Sequence, residues 1–202
     1  MISLVVGLGN IGPEYSGTRH NVGFEVVNRV AREFNARRLP ERLYFESADV
    51  SSPEVGHLIL AWPTTYMNRS GLAVAELLEE LPVGPDRMLV VLDDVNLPLG
   101  TLRFRSGGSD GGHHGLQSVI GQLGTQDFPR LRLGIGRPAD NPDVTDFVLG
   151  SFLPEEAEVA ERMLALAAEA VIFAVTHRFE EAMSKYNENP ALPDEEYPGK
   201  AV

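Results

Sequence analysis

Apolar residues fall along this chain in two rhythms. Residues 2–8 form a compact apolar run that stops at Gly9-Asn10, the pattern of a buried strand. Val22, Val26, Val27, Val30, Ala31 and Phe34 recur at helical spacing and predict a helix from about 22 to 35. Residues 44–50 and 57–62 read as strands able to pair as a hairpin. Residues 67–81 read as a helix that the prolines at 82 and 85 break. The run RMLVVL at 87–92 is a strand, with Asp93-Asp94 at its C-terminal end. A short strand at 101–105, a glycine-rich loop at 106–112, a short helix at 116–123 and a strand at 130–135 follow. Residues 155–177 predict a long alanine-rich helix, with a helical extension over 178–186.

Strands alternate with helices and no segment repeats, which predicts a single α/β domain over 1–186, a central mixed β-sheet flanked by helices. Residues 187–202 are polar, carry Pro190, Pro193 and Pro198, and are expected to form a disordered acidic tail. Sites in such sheets gather beyond the C-terminal ends of strands. Asn10, His20 and Asn21 follow the first strand, Asn68 follows the strand ending at Trp62, and Asp93 and Asp94 end another.

Composition narrows the chemistry. The chain has 202 residues, is 43% apolar and 23% charged, and contains no cysteine, so disulfides and thiolate catalysis are excluded. No run is long and apolar enough for a membrane span, and MISLVVGLGN lacks the basic start and cleavage site of a signal peptide. A cytoplasmic protein without membrane contact is expected, in which the sequon Asn68-Arg69-Ser70 carries no meaning. The net charge of −12 argues against a polyanionic partner until its distribution is considered. Residues 101–137 hold five arginines against two acids, a local +3, whereas 154–202 hold eleven acids against four bases, a local −7. A basic patch on an acidic protein can still meet a nucleic acid.

Four chemistries compete for the polar residues. GLGNIG at 7–12 fits the dinucleotide fingerprint G-x-G-x-x-G. That motif needs a helix to start within it, yet Pro13 follows and the helical pattern begins near Val22. Gly107-Gly108-Ser109-Asp110-Gly111 fits the G-x-S-x-G nucleophile elbow, but the loop is long and glycine-rich on both sides of the serine. Asp93, Asp94, His20, His113 and His114 could supply metal ligands, without any recognised ligand spacing. A histidine base with a carboxylate remains: His20 suits proton transfer near neutral pH, and Asp93 could fix its tautomer. Asn10 and Asn68 could hold a carbonyl or a water. Arg103 with Arg105, and Arg130 with Arg132, are spaced to share a strand face and grip phosphate.

The stretches GLGNIGPEYSGTRHNVGF (7–24), PTTYMNRSG (63–71), LDDVNLPLGTLRFRSGGSDGGHHGL (92–116), FPRLRLGIGRP (128–138) and DFVLGSF (146–152) together resemble the bacterial-type peptidyl-tRNA hydrolases. The resemblance implies hydrolysis of the ester between a peptide and the 3′ ribose of tRNA, by a monomer with no metal or nucleotide cofactor. It implies that His20 activates water, that Asp93 supports it, and that Asn10 helps to select N-blocked substrates. It places Tyr15, Tyr66 and Asn68 in the substrate crevice and Arg103, Arg105 and Arg132 against tRNA phosphate. One departure stands out: Gly112-His113-His114-Gly115 carries a histidine at 114 where the family has an asparagine thought to hold substrate and water. His114 stays a substrate-contact candidate, and Gln117 stands where a basic residue is common. The alternative is a tRNA- or RNA-binding module with impaired catalysis.

Overall fold

The computed structural model describes residues 1–137 and 144–187. Seven strands form one sheet: β1 (Leu4–Gly7), β2 (Arg37–Arg38), β3 (Phe45–Ser52), β4 (Gly56–Pro63), β5 (Met88–Asp94), β6 (Leu102–Arg105) and β7 (Arg130–Gly134). Their order is β2-β3-β4-β1-β5-β7-β6. The central β4, β1, β5 and β7 run parallel, and antiparallel strands close both edges. The mixed sheet and the 45–63 hairpin expected from the pattern are present.

The central strands are apolar at every position because both faces are covered. Val5, Leu89 and Val91 face one helical layer, built from α1 (Val22–Glu33), α5 (Ala157–Thr176) and α6 (Phe179–Asn187). Leu4, Val6, Met88 and Val90 face the other, built from α2 (Ser70–Glu80) and α3 (His114–Leu123). In α1, Val22, Val26, Val27 and Val30 form the buried stripe, each contributing about 2 kcal/mol by leaving water. In α5 the buried stripe is rich in alanine, and it packs beside α1. Among the described residues no helix is long and apolar enough to cross a membrane.

The expected boundaries hold to within a few residues, with two additions and one correction. The two-residue β2 and the six-residue α4 (Val144–Leu149) are too short to show a period. Asn187, assigned by sequence to the tail, is the last residue of α6. Its side chain accepts from the Phe104 N–H at 2.7 Å and donates to the Phe104 carbonyl at 3.1 Å, tying the helix to the edge strand. The rest of the expected tail, 188–202, lies outside the described residues.

A glycine in the first turn of α1 serves packing. A Cβ on Gly23 would sit 2.5 Å from the carbonyl oxygens of both Leu8 and Val91, so α1 meets β1 and β5 nearly backbone to backbone. That contact aims the N-terminus of α1, and the turn before it, at the end of β5. Gly23→Ala is expected to lower unfolding free energy in urea by at least ~2 kcal/mol, because backbone cannot yield as a side chain can. An effect within ~0.5 kcal/mol would show that the contact relaxes freely.

Candidate active site

The ends of the parallel strands open into a cleft of about 530 Å³, and His20, Asp93 and Asn10 lie on its wall. Asp93 is the penultimate residue of β5 and only 2% exposed. A buried carboxylate needs donors, and it receives two. His20 Nδ1 lies 2.8 Å and His113 Nε2 3.0 Å from the same oxygen, Oδ1. His20 comes from the short turn Arg19–Asn21 that leads into α1, and His113 is the N-cap of α3.

The hydrogen bonds fix both tautomers. The Leu116 N–H donates to His113 Nδ1 at 3.1 Å, as at an ordinary N-cap. His113 therefore carries its proton on Nε2 and donates it to Asp93. His20 donates from Nδ1 to the same carboxylate, which leaves the Nε2 lone pair of His20 without a protein partner among the described residues. Burial pushes the Asp93 carboxyl up, but the electrostatic attraction of the His113 and His20 rings and their hydrogen bonds outweigh it and hold the group well below the usual carboxylate range.

The same atoms bear on metal binding. Donor atoms of His20, Asp93 and His113 lie within 4.8 Å of one another, the spacing of a metal site. With His113 Nδ1 accepting from backbone, however, His113 could ligate through Nε2 only as an imidazolate. The donor chemistry favours a proton relay over a cation.

Asn10 is held as rigidly. Its backbone N–H donates to Asn21 Oδ1 at 2.8 Å, and its carbonyl accepts from Asn21 Nδ2 at 2.9 Å. Its side-chain oxygen accepts from the Met67 N–H at 2.7 Å. Only the Nδ2 hydrogens remain, so Asn10 presents a fixed donor to the cleft, not the donor and acceptor expected from residue type.

Tyr15, Tyr66, Asn68, His114 and Arg132 also line the cleft. Asn68 sits in the turn Met67–Arg69, and Tyr66 is 55% exposed. His114 is exposed on the first turn of α3. Arg103 and Arg105 stand outside the cleft on the edge strand β6, where Arg103 pairs in register with Arg132. Arg132 Nη2 meets Asp94 Oδ2 at 2.5 Å, so this cation is already partnered.

One expectation fails here. Arg130 does not share a phosphate grip: it is 1% exposed, stacks on Phe128, and donates to the carbonyls of Gly108, Gln126 and Phe128. Burial, with the nearby Arg132 charge, pushes its guanidinium down to about 10, which still leaves it cationic at neutral pH. Its work is to brace the glycine-rich loop. The serine elbow, disfavoured by its long glycine-rich loop, gains nothing from the structure: Ser109 does not line the cleft, and His177 stacks on Phe173 at the end of α5. The dinucleotide motif has no helix start inside it, as its spacing suggested. His113 was legible only as a metal candidate; its bond to Asp93 has no signal in sequence.

An imidazole with a free Nε2, oriented by a buried carboxylate in a cleft that also holds a fixed amide donor, is an arrangement suited to general-base chemistry on an α/β sheet. The family follows from comparison. The model of the peptidyl-tRNA hydrolase family matches residues 4–194, and the chain belongs to that family. A peptidyl-tRNA hydrolase of Aquifex aeolicus is 47% identical over 188 residues, covering 92% of this chain and 96% of its own. One from Chlorobaculum parvum is 45% identical over 192 residues, covering 94% and 100%. The crystal structure of peptidyl-tRNA hydrolase from Acinetobacter baumannii superposes with a TM-score of 0.87 at 32% identity, covering 95% of this chain and 97% of that one.

The low proton affinity of Asp93 has a consequence for folding. The unfolded chain protonates this carboxyl near pH ~4, while the folded chain does not. The stability from Asp93 is therefore present above that pH and drains away as pH falls further. Asp93→Asn is expected to flatten the acid limb of stability against pH, by up to ~1.4 kcal/mol per pH unit. Urea titrations between pH 5 and about 2.5 measure it, and parallel limbs would contradict the assignment.

Proposed function

We propose that this chain hydrolyses the ester joining a peptide, or another N-blocked aminoacyl group, to the 3′ ribose of tRNA. The observation that carries the reading is the free Nε2 of His20 in the same cleft as the fixed Nδ2 donor of Asn10. Water placed between them loses a proton to His20 Nε2 as its oxygen bonds the ester carbonyl carbon. Asp93 takes up the resulting imidazolium charge through Nδ1–H. Asn10 donates to the carbonyl oxygen as it becomes an oxyanion. The bond to the ribose 3′ oxygen then breaks, His20 returns the proton to that oxygen, and peptide acid and tRNA leave.

Asn68 and His114 face the same space and are assigned to substrate contact. His114 has one hydrogen bond to offer per ring nitrogen, against the donor and acceptor pair of an amide. Tyr15 and Tyr66 give aromatic faces for a terminal base or the peptide. Arg103, Arg105 and Arg132 give the phosphates a basic strip on an otherwise acidic protein, with Arg132 already half-committed to Asp94. A monomer working in the cytoplasm fits these features: helices cover both faces of the sheet, the chain has no cysteine, and its substrate arises from translation. The binding-module alternative has no support, because the family model and the similar proteins are peptidyl-tRNA hydrolases.

The test is release of N-acetyl-aminoacyl groups from tRNA, with unblocked aminoacyl-tRNA alongside and EDTA in both. Cleavage of the blocked substrate alone, undiminished by EDTA, is expected. His20→Ala should lower kcat by at least ~10³-fold and Asn10→Ala by ~10²-fold while tRNA binding persists. Strong turnover by folded His20→Ala would overturn the mechanism. Arg105→Ala should weaken tRNA binding and reduce its salt dependence by about one counterion.

A further inference from the structure

The residue before the base is an arginine that the mechanism leaves unused. Arg19 is 3% exposed and does not line the cleft. Its guanidinium lies 4.4 Å from the centre of the Phe147 ring and 4.7 Å from that of Phe152. Its Nη2 meets Glu156 Oε2 at 2.5 Å, where Glu156 is the N-cap of α5. The same Glu156 oxygen accepts from the Leu153 N–H at 2.7 Å. Backbone bonds run in parallel: the Arg19 N–H donates to the Gly150 carbonyl at 2.9 Å, and Thr18 bridges to Ser151.

These contacts join two walls of the cleft that are far apart in sequence. One wall is α4 with the chain after it; Thr145, Val148 and Leu149 of α4 line the cleft, while Phe147 turns away onto Arg19. The other is the turn Arg19–Asn21, which carries His20 to Asp93 and Asn21 to Asn10. A buried cation is expensive unless it is paired, and planar stacking suits arginine alone among cations. Salt pair, two rings and backbone bonds on a single residue fix the spacing between the apolar wall and the base.

We infer that Arg19 is a positioning residue that couples the α4 wall of the cleft to the orientation of His20, so that seating the acyl chain against α4 and aligning the base are one event. This rests on the hydrolase reading above. The wall that Arg19 holds is apolar, built from Val148, Leu149 and Val144, and suits the nonpolar part of an acyl chain. Arg19 touches no reacting atom; it acts through the turn on one side and the α4 helix on the other.

Two variants test it. Arg19→Met keeps the stem and loses the charge and the planar stack. Phe147→Ala removes a ring from α4 and leaves Arg19 with Glu156. Hydrogen exchange in the full chain without substrate should quicken about tenfold over 144–151 in Arg19→Met, while β1 and β5 keep their protection. In turnover of N-acetyl-aminoacyl-tRNA, Phe147→Ala should raise KM several-fold with kcat within about twofold, and Arg19→Met should raise KM and cut kcat about tenfold. The rise in KM from Phe147→Ala should vanish in the Arg19→Met background. Unchanged exchange over 144–151 in Arg19→Met, or full additivity of the two changes in KM, would overturn the coupling. If Arg19→Met does not fold, a Phe147→Ala protein with unaltered exchange and KM overturns it equally. Exchange is read without substrate, so an inactive wild-type protein would sink the hydrolase reading and leave the clasp to be decided by exchange alone.

Discussion

A carboxylate placed at the end of a central strand, 2% exposed, organises the site. Asp93 can stay charged there only if donors reach it, and both that do are imidazoles. One arrives on the turn before α1, the other as the cap of α3. The demand for donors thus draws together three elements that belong to different layers of the fold. Satisfying the carboxylate also sets the tautomer: His20 gives up Nδ1–H to Asp93 and leaves Nε2 without a protein partner among the described residues. His113 gives up Nε2–H and is anchored behind by the helix it caps. The two rings lie 4.9 Å apart at a tilt of 51°, side by side on one acceptor, with distinct roles fixed by which nitrogen faces it.

The arginines show how residues of one type are divided by burial. Arg130 is sealed under the glycine-rich loop, where carbonyls take its hydrogens. Arg132, two residues on, faces the cleft and is paired with Asp94. Arg103 and Arg105 remain on the edge strand. Arg19 is buried between two phenylalanines and a glutamate. Of these five, Arg103, Arg105 and Arg132 keep exposed surface. The acidic residues of the helical end lie in other elements, α5 and α6.

Much of this was legible in the chain. The strand runs at 2–8 and 87–92 and the valine stripe of α1 follow from period alone, because burial on one face or two leaves an unambiguous pattern. Asn10, His20 and Asp93 were legible as loop or strand-end polar residues, where α/β sheets put their sites. What was not legible has a common cause. β2 and α4 are too short for a period. Arg130 and Arg132 look equivalent in sequence, and only the packing of the glycine-rich loop separates them. Asn187 read as tail because the partner of its side chain, Phe104, is remote in the chain.

The sequence by itself determined the longer elements, a sheet flanked by helices and the residue types available for proton transfer, because hydrophobic period and turn chemistry are local properties. Tertiary structure alone decided that His113 shares the carboxylate with His20, that Asn10 offers only its donor, and that Arg19 clasps the α4 wall. Each of these is a hydrogen bond or stacking contact between residues distant in sequence. Its existence depends on how closely α1, α3 and α4 approach the end of β5, and that distance is set by packing, which no single segment encodes.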